Sequence, residues 1–532
     1  MLNGFVTVAQ QTTLIHLDKP YYVAGETVHY KIYLPSSLVV KAALLKVVIY
    51  NSKSDQVHSS YLEKEGEKHA YGYYLIPFEA DPDLYTLTVS SFDIDSNRKI
   101  ILGQVELPVY SDTSKETHQI SDSTGANYRS APVAPDLAPD LDITIHMPNA
   151  PVEPREPISA LVEIKDRQGN PVEADISISI TDVDLIGRSG TMPYFSLSEY
   201  PLQNHQNVYL SQQIPVSGAL DNKQEGVLLT FYVPSLNKLF YTRSDSGGSF
   251  QLLMSPYYGD QMMQYIGGFT GHKTIQLSPN DMVFDEKNLV YTTDILNYLS
   301  TSAKRKLVYQ LYNTLEMTMQ FSIPNLAETL KPDRRIKATD YPFENLIDFC
   351  NEISTPLKFV TEKSAGSSFK MFNPESRNFY FGSPLFIVDQ QLTRDVDYLS
   401  SLEFQKLDSI SLYYSNQNLS NYFGFAGFSG VVVITSKSGN LKVPRDLLTQ
   451  QFNIGGLQPE MVEDKPHRPP QVPLFQPRLL WEPSLNTNQQ GRAAFSFTQS
   501  DDISVYQIEV VAQSAAGLRG YRKLEYQSHR TF

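Results

Sequence analysis

The chain reads as a mainly β, multi-domain protein, and three observations carry that reading. Tyr and Phe are abundant, at 33 and 27 of 532 residues, and aromatic side chains suit pleated, half-buried strands better than helices. Thirty-three prolines and 28 glycines supply many turns and linkers. Short runs of alternating apolar and polar residues recur between those turns, as in Tyr85-Thr86-Leu87-Thr88-Val89-Ser90. Length sets a prior of about three to five domains. Hydrophobic residues make up 41% and charged residues 19%, so most of the chain is able to build cores. A net charge of −14 argues against a nucleic-acid partner, which selects basic surfaces. One cysteine, Cys350, excludes an internal disulfide and a cysteine-pair metal knuckle. Its place beside Phe349 on a predicted amphipathic helix points to a buried structural thiol.

Residues 1–11 end in an apolar run, Val6-Thr7-Val8-Ala9-Gln10. They read either as the tail of a signal peptide or as a first strand. No run approaches 18 uninterrupted apolar residues, so no transmembrane helix is expected.

Residues 12–112 carry regularly spaced strand-like runs and are expected to form one β-sandwich. Its entry segment, Asp18-Lys19-Pro20-Tyr21-Tyr22-Val23-Ala24-Gly25-Glu26-Thr27-Val28, places Pro20 to enforce an extended entry and Gly25 to make a tight turn. Tyr22 and Val28 are expected to point into the core. This segment resembles the entry signature of the second macroglobulin domain of alpha-macroglobulins, with Ala24 where that family usually has proline. Residues 113–140 read as a linker. Residues 141–215 hold a second β domain similar to a later macroglobulin-type domain, although 185–215 have no readable pattern.

Residues 216–285 form a further β unit. Residues 286–335 make a helical connector, in which Leu296, Leu299, Leu307, Val308, Leu311 and Leu315 approximate a 3.6-residue period. A second helix is expected at 342–353 and a strand at 357–361. Prolines at 444, 459, 466, 469, 470, 473 and 477 make 441–477 an extended linker. The tail, 478–532, carries three strand-like runs, too few for a sandwich of its own. We expect it to complete the unit at 216–285. Its Trp481-Glu482-Pro483 start is similar to an alpha-macroglobulin segment.

Residues 336–440 contain the most distinctive pattern. Pro384-Leu385-Phe386-Ile387-Val388-Asp389 opens a strand, and Gly427-Phe428-Ser429-Gly430-Val431-Val432-Val433-Ile434-Thr435-Ser436-Lys437-Ser438-Gly439 closes a glycine-punctuated one. Both ends resemble the signatures of the plug domain of TonB-dependent outer-membrane transporters. Gln390 stands where that pattern has glycine, which puts the turn in question. A 22-stranded barrel takes about 200 residues in strands, far more than follow Gly439, so the plug-like module is expected without a barrel of its own. Taken in order, these modules resemble a family of large Bacteroidota envelope proteins.

Catalytic signatures are missing. No GCGEQ-type loop surrounds Cys350, so covalent protease trapping is not expected. G-x-S-x-G, H-E-x-x-H and nucleotide-binding glycine patterns are not found either. Asp93-x-Asp95-x-Asn97 has Arg98 and Gln104 where a calcium loop has Gly and Glu. The pairs Asp182/Asp184, Asp395/Asp397 and Asp501/Asp502 read as solvated turns. No catalytic residue, cofactor or metal is implied. The candidate interaction residues are Tyr413, Tyr414, Tyr422, Phe423, Phe425 and Phe428, an aromatic run among Gly, Ser and Asn that suits either a contact surface or a core. The resemblance implies a non-enzymatic binding or scaffolding protein of the cell envelope, associated with the outer membrane, with a protein partner such as a β-barrel. The alternative is a non-covalent macroglobulin-type protease inhibitor, with 113–140 and 441–477 as bait.

Overall fold

The computed structural model describes residues 13–529 except 36–43, 64–68, 95–97, 114–139, 149–151, 188–193, 197–209, 237, 268–273, 279–281, 283, 285–287, 312–319, 323–330, 354–355, 363–365, 445–448 and 463–472. The readings made for 1–11 and for nearly all of 113–140 lie outside the described residues. The chain divides into two compact units, residues 1–212, 282–323 and 457–532 in the first and residues 213–281 and 324–456 in the second.

The first unit contains two β-sandwiches. In one, a four-stranded sheet ordered Tyr194–Ser196, Thr13–Leu17, Thr27–Tyr33, His69–Leu75 faces a five-stranded sheet ordered Tyr22–Val23, Arg98–Tyr110, Asp83–Asp93, Leu44–Tyr50, Gln56–Glu63. Inward residues of both sheets, among them Ile15, Tyr30, Ile32, Val47, Leu87 and Leu107, fill one core.

The entry segment works residue by residue. Tyr22 and Val28 are fully buried. The Asp18 carboxylate accepts from Tyr22 Oη at 2.7 Å and from the His29 N–H at 3.0 Å. Glu26 accepts from Lys19 Nζ at 2.5 Å and from the Val23 N–H at 2.9 Å. Gly25 has φ of 87°, and a Cβ there would lie 2.5 Å from the Phe78 ring. Ala24 donates its N–H to the Tyr110 carbonyl at 2.8 Å, a bond that proline has no hydrogen to make.

The second sandwich corrects the expected domain plan. Strands Arg492–Thr498, Pro157–Asp166 and Leu141–His146 form one sheet, and Arg478–Asn486, Ala174–Asp182, Val505–Ser514 and Arg519–Gln527 form the other. The tail thus completes the domain that begins at residue 141, in long registers such as Ala174↔Ser514 to Asp182↔Tyr506, and not the unit at 216–285. Ile164, Ile176, Ile178, Phe495, Phe497, Ile508 and Val510 share its core. The pairing is legible afterwards: strand 174–182 is buried along almost its whole length, as a central strand must be.

Helix Thr293–Leu311 packs against both sandwiches. Ile295, Tyr298 and Leu299 meet Tyr21, Val23 and Tyr110 of the first and Ile186 of the second. Tyr298 Oη donates to Glu26 at 2.5 Å, Lys306 pairs with Asp112 at 2.8 Å and Arg305 with Asp502 at 2.7 Å. Asp182 and Asp502 are therefore not solvated turn residues. Asp182 is 2% exposed, caps helix Val183–Ile186 through the Leu185 N–H, and accepts from Ser504 Oγ at 2.5 Å. Burial pushes its carboxyl up to about 6 and also raises that of Asp502.

The two sandwiches meet across a polar seam. Alternate residues of strand Ala174–Asp182 face strands Thr13–Leu17 and Thr27–Tyr33: Asp175 pairs with Lys31 Nζ at 2.5 Å, Ser177 bonds His16 Nδ1 at 2.6 Å, and Ser179 donates to the Asp18 carbonyl at 2.6 Å. Arg478 adds a 2.9 Å bond to the Asp18 carboxylate. Burial alone would raise that carboxyl, but Arg478, His29 and Lys19 together hold it below the ordinary aspartate value.

The second unit joins a sandwich to an α+β module. One sheet is ordered Ser249–Met254, Ile214–Leu220, Ile275–Leu277 and the other Lys238–Arg243, Leu228–Val233, Gln261–Ile266, Thr449–Ile454. Strand Thr449–Ile454, and in the first unit strand Glu460–Val462, which pairs with Gln320–Ser322, correct the reading of 441–477 as continuous linker; no proline lies between Pro444 and Pro459, which leaves room for the first of these strands. The module has a mixed sheet ordered Arg334–Lys337, Leu407–Tyr413, Val431–Ser436, Leu385–Val388, Gln391–Thr393, with 385–388 and 431–434 parallel. The expected helix at 342–353 is shorter, Leu346–Glu352, because Asn345 caps it through the Asp348 N–H. Cys350 is buried on it, and burial pushes its thiol up to about 12.

Two outcomes follow for the first unit. Asp175→Ala, which strips the fully buried Lys31 of its nearest carboxylate, costs about 3–5 kcal/mol. The Lys31→Met/Asp175→Leu double variant recovers most of that. Urea unfolding followed by fluorescence of Trp481, the single tryptophan, measures both, and a loss below about 1 kcal/mol for Asp175→Ala would show the pair to be dispensable. For Asp182 the folded-state value lies above the ordinary 3.8, so the stability tied to its protonated form is present below about 3.8 and lost as pH rises through about 6. Asp182→Asn, which keeps the cap acceptor, gains about 2–3 kcal/mol on the wild type between pH 4 and pH 7. An unchanging difference across that range would contradict this.

Candidate interaction surface

The module's local structure decides which aromatic residues face out. Strand Leu407–Tyr413 leads into a turn capped by Ser415, a π-helical turn Leu419–Phe423 and a 3-10 turn Gly424–Gly427, before strand Val431–Ser436. Gly424 has φ of 50°, and the Tyr241 ring occupies the space a Cβ would need, 2.6 Å from it. Tyr241 Oη donates to the Phe423 carbonyl and accepts from the Ala426 N–H at 3.0 Å. Arg394 Nη2 donates to the Ala426 carbonyl at 3.1 Å. One tyrosine hydroxyl and one guanidinium therefore fix the backbone from which Phe425 and Phe428 project.

The six candidate residues separate into two groups. Tyr413 and Phe423 are buried, with ring centroids 4.9 Å apart, in a core shared with Tyr232, Leu239 and Ile266 of the neighbouring sandwich. They join two parts of the second unit and are not available as a contact surface. Tyr422 is half-buried beside both rings. Tyr414 is half-buried, with its N–H donating to Asp333 at 2.7 Å and its carbonyl accepting from Tyr380 Oη at 2.9 Å. Phe425 and Phe428 are 64% and 71% exposed.

Two further exposed rings extend the surface. Phe381 is 99% and Phe379 50% exposed. The Tyr380 ring lies 6.4 Å from Phe428, and a Cβ on Gly382 would lie 2.7 Å from Ser429 Oγ, so the 379–382 and 428–429 segments run side by side. Lys370 Nζ donates to the Phe381 carbonyl at 3.4 Å. Sequence reasoning missed Phe379 and Phe381. The available signal was the run Phe379-Tyr380-Phe381, three consecutive aromatics that no single-faced strand is able to bury. Four exposed phenylalanines, Phe379 at the end of a short strand and the others on adjoining segments of one module, differ from the scattered single apolar residues ordinary to protein surfaces.

The Asp389-Gln390 turn takes the conformation that the missing glycine put in question. Strands 385–388 and 391–393 pair with Val388 opposite Gln391, leaving a two-residue hairpin with φ of 43° at Asp389 and 67° at Gln390. Positive φ at both positions is what a type I′ hairpin requires. Asp389 accepts from Ser436 N–H at 2.8 Å, Ser436 Oγ at 2.5 Å and Leu441 N–H at 2.9 Å, and these bonds hold the turn despite the Gln390 side chain. Among the described residues no group of three or more His, Cys, Asp or Glu side chains is placed to hold a metal ion, and no helix is long and apolar enough to cross a membrane. Replacing Gln390 by glycine removes the left-handed strain and raises stability by about 0.5–1 kcal/mol. Differential scanning calorimetry of the two proteins checks this, and an unchanged or lower melting temperature would show that Gln390 is unstrained.

No family model matches the chain, and no curated protein matches it. Among solved structures, native Escherichia coli alpha-2-macroglobulin aligns at 8% identity and a TM-score of 0.25, over 98% of this chain and 40% of that one. Salmonella alpha-2-macroglobulin reacted with methylamine aligns at 9% identity and 0.23, over 97% and 39%. The Escherichia coli adhesin FdeC aligns at 11% and 0.15, over 53% and 62%. The chain spans about two fifths of the length of these macroglobulins. At TM-scores of this size the likeness settles neither fold nor function.

Proposed function

We propose that this chain is a non-enzymatic binding and scaffolding protein of the bacterial cell envelope. It works at the outer membrane, where its α+β module recognises a protein partner, an outer-membrane β-barrel. The observation that carries the reading is the set of exposed rings, Phe379, Phe381, Phe425 and Phe428, on the module whose sequence resembles a transporter plug. Large aromatic side chains dominate the energetics of protein interfaces because they bury much area at little entropic cost. Here the backbone beneath two of them is fixed in advance by Tyr241 and Arg394, which lowers the ordering cost of binding. The polar strand faces and buried charges of the first unit serve as its internal framework.

A photo-crosslinking residue in place of Phe381, expressed in the native host, tests this directly. The expected product is a discrete adduct in the outer-membrane fraction whose partner is a barrel protein. Combining the crosslinker with Phe425→Ser and Phe428→Ser reduces the adduct at least tenfold, while the unfolding free energy stays within about 0.5 kcal/mol of the parent because both rings are exposed. Recovery of the protein in the cytosolic fraction, or an adduct indifferent to the two serines, overturns the proposal.

A further inference from the structure

We propose that residues 457–459 are a strap that keeps the open side of the first sandwich from pairing with a second copy of this chain. Two strands end their sheets on that side, Gln56–Glu63 in the five-stranded sheet and His69–Leu75 in the four-stranded one. An edge strand presents unpaired N–H and C=O groups to any strand that comes alongside, and proteins usually blunt it with proline, lysine or a bulge. Neither strand has a proline or a lysine. Their ladders to the inner strands run without a shift from Leu44↔Glu63 to Ile49↔His58 and from Thr27↔Leu75 to Tyr33↔His69. Those stretches have no device of their own against pairing.

The strap supplies one, and it covers both sheets at once. Leu457 lies parallel to the first edge, bridging Tyr61, and is 2% exposed. The Gln458 N–H donates to the Tyr61 carbonyl at 2.8 Å. Its side chain turns to the second edge, where the Tyr73 N–H donates to Gln458 Oε1 at 3.0 Å and Gln458 Nε2 donates to the Tyr73 carbonyl at 2.6 Å. The N–H and C=O of one residue, bonded on the same side, are what a neighbouring antiparallel strand takes up. One carboxamide therefore fills the place of a strand's peptide groups. Tyr73 Oη donates to the Pro459 carbonyl at 2.9 Å. Room for the carboxamide comes from Gly72, where a Cβ would lie 2.5 Å from Gln458 Oε1.

The occupant follows from what the strap covers. None of its bonds belongs to the ladders that build the sandwich, so lifting it bares the two edges and leaves the sheets intact. The two strands carry one carboxylate, Glu63, and no basic residue besides histidine, so little like-charge repulsion opposes a second copy. A two-fold axis sets each edge antiparallel to its own copy and satisfies the same groups on both sides.

Sedimentation equilibrium of the full chain tests this, with amide hydrogen exchange at Tyr73 reporting the strap itself. Gln458→Glu keeps an acceptor for the Tyr73 N–H but sets a carboxylate against the Tyr73 carbonyl, and Gln458→Met removes both bonds. Each is expected to speed exchange at Tyr73 at least tenfold and to tighten self-association at least tenfold over the parent, with far-UV circular dichroism unchanged. Ser59 lies two residues before Tyr61, whose carbonyl faces the edge, and so turns its own N–H outward. Adding Ser59→Pro therefore costs no bond to strand Leu44–Tyr50 and returns the association to the parental level. Val57→Lys, at a position 41% exposed, does the same by charge. Exchange that quickens with no gain in association, association that survives both edge changes, or exchange unmoved in both Gln458 variants overturns the proposal.

Discussion

The Asp18 carboxylate is the point on which the first unit depends. It is fully enclosed, yet it stays below the ordinary aspartate value because Arg478 reaches it from a strand 460 residues later. Its other bonds, to Tyr22 and the His29 amide, fix the entry loop of the first sandwich. The same group thus sets a local turn and joins two domains. A buried carboxylate without those donors would be costly, so the loop and the seam have to form together.

The second sandwich shows why its partner strands are hard to assign. Its two halves, residues 141–182 and 478–527, are separated by the whole second unit and by helix Thr293–Leu311. Loop-closure entropy grows only with the logarithm of the intervening length, so an insertion of this size is tolerated once the long registers between the halves form. The tail's strands alternate well enough to be found, but alternation does not say which sheet they join. Strand 174–182, buried on both faces, needed two neighbours, and the tail supplied both.

In the second unit, one aromatic run serves two purposes. Tyr413 and Phe423 fill a core, while Phe425 and Phe428, two and five residues after Phe423, face solvent. The change of side comes from the π-helical and 3-10 turns between Leu419 and Gly427, whose periods differ from those of a strand or an α-helix. The Tyr241 hydroxyl, offered by a strand nearly two hundred residues earlier, locks that irregular path.

Sequence alone established a mainly β chain, the entry motif that organises the first sandwich, the approximate helices and the strands at both ends of the α+β module, but not that strand Tyr194–Ser196 joins the first sandwich. These depend on periodicity, glycine and proline, which act over a few residues. Tertiary structure decided the rest. It set which sheet the tail completes, that Asp182 is buried and paired, that Gln390 holds a positive φ through the bonds of Asp389, and which aromatic rings reach water. Each of these turns on a contact with residues far away in the chain, and no local pattern carries that information.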